Sequence, residues 1–143
     1  MKLFWRDSTF EISLFNSNQN IVGVYKKGGV NKTNIGSKIF YSEWDENLNT
    51  LIIMQDVKYN QKFCTYYHNN GSFIFEDFKF DFINSDYPYL QNENKILIDY
   101  WKDKSLFKRT GTITIIDLKE HWEILVYCLL FAMELNSIST IIA

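Results

Sequence analysis

Proline appears once in these 143 residues, at Pro88, and arginine twice, at Arg6 and Arg109. With so little proline, almost every backbone N–H remains a donor, which suits a chain built from hydrogen-bonded ladders. Cysteine is as scarce. Cys64 and Cys128 stand far apart inside apolar runs, with no CxxC and no histidine pair at ligand spacing. That excludes a disulfide framework and a zinc module, and it points to two buried, reduced thiols. A surplus of one charge is missing too: 15 Lys and Arg against 17 Asp and Glu give a net −2. No overall field draws such a chain to nucleic acid or to an anionic bilayer, so any attraction of that kind has to be local. Nor is there a secretory h-region, because Lys2 is followed only by Leu3, Phe4 and Trp5 before Arg6 and Asp7. A cytoplasmic location is expected.

What is abundant is aromatic and β-branched. Aromatic residues make up 17% and hydrophobic residues 46%, a composition that excludes disorder and favours strands. The alternation of Phe10, Ile12 and Leu14 with Glu11 and Ser13 predicts a strand over 9–15. "NSNQN" then turns the chain into a second strand over 21–26. "KKGGVNKTN" (26–34) reads as a loop, and strands are expected over 35–44, 50–57 and 61–68. Asn70-Gly71 predicts a tight type I′ hairpin. In "SFIFEDFKFDFI" (72–83) the phenylalanines change parity midway, and a one-residue bulge near Glu76-Asp77 would return them all to one face. After a loop around Pro88, strands are expected over 95–101, 105–111 and 112–118. All of them lie in residues 1–118 of one domain spanning 1–143.

"EILVYCLLFAMEL" (123–135) is the exception to this pattern. Asp117 and Glu120 have the spacing of a capping box, and from Lys119 to Leu135 there is neither Gly nor Pro, so a helix is predicted over about 118–136, ended by Asn136. Ile124 to Met133 are all apolar, which places that helix in a protein interior or in a bilayer. Length decides between them. A span needs about 20 apolar residues, and extending this run buries Glu134, at about 2.5–3.5 kcal/mol for an acidic residue at the bilayer centre. An interior helix needs apolar strand faces on every side. The expected fold is therefore mainly β (α+β by count), a closed antiparallel β-barrel of ten or more strands around a C-terminal hydrophobic central helix.

Strand, polar turn and strand in "FEISLFNSNQNIVGVYKK" (10–27), with a last strand running into a wholly hydrophobic helix in "GTITIIDLKEHWEILVYCLLFAMELN" (111–136), resemble the tubby C-terminal-like superfamily. That group includes the LURP-one-related proteins and the phospholipid scramblases, and the likeness is greatest to its small bacterial members. The resemblance implies a barrel threaded by its helix and a non-enzymatic domain, some relatives of which bind phosphoinositides or sit at membranes. It transfers no binding residue, since no Lys or Arg here aligns with the basic pocket of those relatives.

The candidate ligand groups come from the residues themselves. Lys26, Lys27, Lys32 and Lys38 lie in a stretch without acids that is rich in Gly and Asn, and Lys102, Lys104, Lys108 and Arg109 form a second cluster diluted by Asp103. Together they are the candidate site for an anion such as a phospholipid headgroup, with peripheral membrane contact and no transmembrane span. Glu76, Asp77, Asp81 and Asp86 lack the spacing of a calcium loop, and "HWEIL" is not HExxH. GxSxG, a P-loop and GxGxxG are absent. No cofactor, metal or nucleic acid is expected. The functional expectation is a non-enzymatic binding module for a phospholipid headgroup or a protein partner; the alternative is a cytoplasmic immunity-type inhibitor that binds a toxin.

Overall fold

Alternating burial along short segments builds a sheet whose strands follow one another in space as in sequence. A computed structural model describes residues 1–45, 51–56, 61–104 and 109–142. The strands are β1 (Lys2–Asp7), β2 (Glu11–Phe15), β3 (Ile21–Lys26), β4 (Thr33–Ile35), β5 (Lys38–Trp44), β6 (Leu51–Asp56), β7 (Gln61–Tyr67), β8 (Ser72–Phe75), β9 (Phe78–Ile83), β10 (Tyr89–Asn92), β11 (Lys95–Lys102) and β12 (Thr110–Ile115). A 3-10 turn over Lys119–His121 leads into α1 (Trp122–Ile142). The fold is mainly β, one antiparallel sheet and one C-terminal helix. Each strand pairs with its neighbours in sequence, and β1 also pairs with β12, from Lys2 opposite Thr114 to Arg6 opposite Thr110.

Several turns depart from the expected pattern. The phenylalanine strand is a hairpin without a bulge: Glu76, at φ 56, and Asp77 reverse the chain so that Phe75 faces Phe78 and Phe73 faces Phe80. Two extra residues in a turn bring the aromatic side chains to one face as effectively as one residue in a bulge would, and Phe73, Phe80 and Phe82 are buried there. Gly36, at φ 60, and Ser37 split the expected strand 35–44 into β4 and β5. Glu93 and Asn94, both at positive φ, turn β10 into β11, so the region after Pro88 is a hairpin and not a plain loop. The Asn70-Gly71 hairpin exists with a four-residue loop, Tyr67 facing Ser72 across it. Phe10, expected on the core face of β2, is 80% exposed just ahead of the strand. The strand expected over 105–111 falls partly outside the described residues, and β12 begins at Thr110.

The helix fills the interior. Every residue from Ile124 to Ala132 is buried, with inward side chains of β1, β2, β5, β7, β8, β9, β11 and β12 in the same cluster. The capping box does not form. Leu118, at φ 54, precedes the 3-10 turn with no side chain capping it, because the Asp117 carboxylate is taken by the Leu118 N–H (2.8 Å) and by Lys95 (2.7 Å). Nor does the helix end at Asn136, whose side-chain amide donates to the Ala132 carbonyl while α1 continues to Ile142. No helix among the described residues is long and apolar enough to cross a membrane. Cys64 and Cys128 are buried and not joined in a disulfide, and burial, with Cys64 alongside, pushes the Cys128 thiol up.

Polar groups inside are tied to one another, as an interior requires. The Tyr25 hydroxyl donates to Glu134 of α1 (2.6 Å), Glu134 also accepts the Gly28 N–H, and Ser42 and Tyr127 share a hydrogen bond of 2.7 Å. Burial first, then the Glu134 carboxylate, raises the Tyr25 phenol well above its usual range, so it stays a donor. At the β1–β12 seam, Trp5 stacks on Tyr100 (4.7 Å) and donates to the Trp101 carbonyl (3.1 Å) directly beneath Gly111. A Cβ at Gly111 would meet that carbonyl oxygen at 2.0 Å and the Trp5 ring at 2.4 Å. Because one of those neighbours is backbone, Gly111→Ala is expected to cost about 1–3 kcal/mol, the range of overpacking. Urea denaturation measures this, and an unchanged midpoint would contradict the seam geometry.

Candidate anion-binding site

The eight predicted basic residues do not gather into one pocket. Lys26 pairs with Glu11 at 2.6 Å. Lys27 and Arg109, one from each predicted cluster, do meet, but they meet on a carboxylate of this chain: Asp7 takes Lys27 at 2.7 Å and Arg109 at 3.1 Å. Both cations are thereby engaged by one carboxylate of the chain itself. Lys32, Lys102 and Lys104 are exposed, and Lys108 lies outside the described residues.

Lys38 is placed differently. It opens β5 immediately after the Gly36-Ser37 turn, and that turn sits against the start of α1: a Cβ at Gly36 would lie 2.8 Å from the Trp122 ring and 2.9 Å from Glu123. Beside the helix start is a cleft of about 560 Å³ lined by Lys38, Lys62, Glu76, His121 and the apolar side chains Phe63, Phe75 and Ile124. Lys62 comes from β7, and Glu76 from the β8–β9 turn. His121 closes the 3-10 turn, its backbone N–H donating to Leu118 and its ring standing edge-on to Phe75 at 5.1 Å. Among the described residues no carboxylate pairs with Lys38 or Lys62.

Two ammonium groups and an imidazole at the positive end of a helix, against one carboxylate, form a donor set for an anionic oxygen group. The apolar lining supplies a surface for whatever carries that group, and the volume suits a small-molecule site. Neither Lys62 nor His121 stands out in the sequence, because Lys62 is the single charge of its strand and His121 has no partner at ligand spacing. Only the β5–β7 spacing and the 3-10 turn bring them beside Lys38. Strict alternation along "QKFCTYY" puts Lys62 on the face of the buried Cys64 and Tyr66, and the register shift that pairs Met54 with Cys64 and Gln55 with Lys62 breaks that parity, so no signal in the sequence marks Lys62.

Comparison of the chain with protein-family models, with curated proteins and with solved structures finds no match. Among the described residues, no group of three or more His, Cys, Asp or Glu side chains is placed to hold a metal ion.

The Lys95–Asp117 pair fixes the backbone that delivers His121. A hydrogen bond from Lys95, then the Leu118 N–H, hold the Asp117 carboxyl below its usual range. A depressed folded pKa contributes stability above the unfolded carboxylate value of about 4, and that contribution is lost as pH falls below it. Asp117→Asn is therefore expected to lower stability near pH 7 and to change little at acid pH, where the carboxyl is protonated in both states, so the acid limb of a stability–pH profile is flatter. Parallel limbs for the two proteins would contradict this role.

Proposed function

We propose that this chain is a non-catalytic binding domain, a closed barrel threaded by α1 on the plan of the tubby-like proteins, which holds a phosphate-bearing headgroup at the cleft beside the helix start. Two observations favour closure. β1 has a hydrogen-bonded partner on both sides, and nine successive helical residues are buried, as an enclosing wall requires. The ligand reading rests on one observation: Lys38, Lys62 and His121 share one cleft with a single acidic side chain, Glu76. Phosphate oxygens match that donor set, and the apolar side chains accept the adjoining glycerol or acyl carbons. The domain then works at the periphery of a membrane from the cytoplasmic side, with the helix committed to the interior.

Vesicle sedimentation tests this reading. Vesicles containing a phosphorylated phosphoinositide are expected to retain the protein in a salt-sensitive manner, and phosphatidylcholine vesicles to retain it less. Replacing Lys38 and Lys62 together by Ala removes about 1 kcal/mol for each lysine near the anionic surface, so retention should fall roughly thirty-fold. Equal retention on both kinds of vesicle, or an unaffected double variant, counts against the headgroup.

A further inference from the structure

A second cleft, of about 460 Å³, lies on the outward side chains of β1, β2 and β12. Phe4 forms its floor, paired across the strands with Phe15 on one side and Thr112 on the other. Two residues along β1, Arg6 faces Thr110, and its guanidinium lies 5.5 Å from the centre of the Phe15 ring. The Thr110 hydroxyl donates to one oxygen of Asp103 at 2.5 Å, which fastens that carboxylate to the same wall.

Arg6 of β1 and Asp103, just past the end of β11, thus line one space, yet among the described residues neither has an ion pair with the other or with any other side chain. The contrast is close by: Asp7, the next residue after Arg6, is paired with two cations. A purely anionic ligand in this cleft would meet Asp103, and a purely cationic one would meet Arg6. A ligand carrying both signs satisfies both. The aromatic floor favours the same class, because ring faces attract alkylammonium groups. The Lys2 ammonium, 5.8 Å from the Phe4 centroid, shows that this ring takes a cation, and a ligand's alkylammonium would displace the exposed Lys2 from it.

We propose that this cleft binds a small zwitterion, its anionic oxygens on Arg6 and its alkylammonium against Asp103 and the Phe4 ring. The site is separate from the cleft at the helix start and does not depend on it. Isothermal titration with phosphocholine and glycine betaine, and with the single-charge parts choline, inorganic phosphate and acetate, tests the idea. At least one zwitterion is expected to bind tenfold or more tightly than any of these parts. Arg6→Ala and Asp103→Asn, both surface changes checked for unchanged urea midpoints, should each weaken binding about tenfold. The Lys38→Ala, Lys62→Ala double variant should bind the zwitterion normally. Retention on phosphatidylcholine vesicles that free phosphocholine competes away identifies the source as a lipid headgroup. Binding of the free zwitterion without vesicle retention identifies a solute, and either result supports the site. Choline, phosphate or acetate binding as well as the zwitterion overturns it, as does insensitivity to Asp103→Asn. No probe binding below about 10 mM overturns it too.

Discussion

Nine consecutive side chains of α1, from Ile124 to Ala132, are out of water, and successive residues of an α-helix are turned by about 100° from one another. A run of that length looks in every direction. No single sheet face and no single neighbouring helix can cover it, so apolar side chains have to approach from all around. That requirement explains why so many inward positions are bulky: Trp5, Tyr25, Phe40, Tyr66, Phe73 and Phe80 are all buried in the cluster that contains the helix. It also explains the role of the β1–β12 pairing, which gives the first strand a second neighbour and lets Trp5 reach inward beneath Gly111.

Fixing the helix fixes the site. The β4–β5 turn touches Trp122 and Glu123 so closely that only glycine fits at position 36, and this contact sets where Lys38 begins β5. At the far half of the helix, Glu134 ties α1 to Tyr25 and to the β3–β4 loop. The helix is therefore pinned to the strands at two heights, and the Ser42–Tyr127 bond adds a third between them. Buried hydrogen bonds of this kind contribute modestly to stability, but they define register, because sliding α1 by one turn would leave a carboxylate and two phenols without partners.

Residue pattern alone revealed the strand-rich body and the interior helix, since both depend on periodicity and run length. Three strands escaped it for identifiable reasons. β1 looked like a stub because Leu3 and Trp5 alternate with Phe4, an exposed aromatic that hides the period. β4 is three residues long, and β10 ends in a turn whose positive φ angles fall on Glu93 and Asn94, not on glycine. The helix start was misjudged because Lys95, distant in sequence, captures the carboxylate that local spacing assigned to a cap. Of the eight basic residues chosen from sequence, Lys38 lines the helix-start cleft. Lys26, Lys27 and Arg109 went to Glu11 of β2 and Asp7 of β1, pairings that no local pattern announces.

Native-state hydrogen exchange addresses the enclosure of α1 most directly. If strands surround the helix, its amides from 124 to 132 cannot open without breaking the wall. They should then exchange only through global unfolding, with the same free energy and the same denaturant dependence as the amides of β1 and β12. Exchange of the helix at a distinctly lower free energy than those two strands, or a sharp loss of its protection in mild detergent while the strands stay protected, would contradict the account.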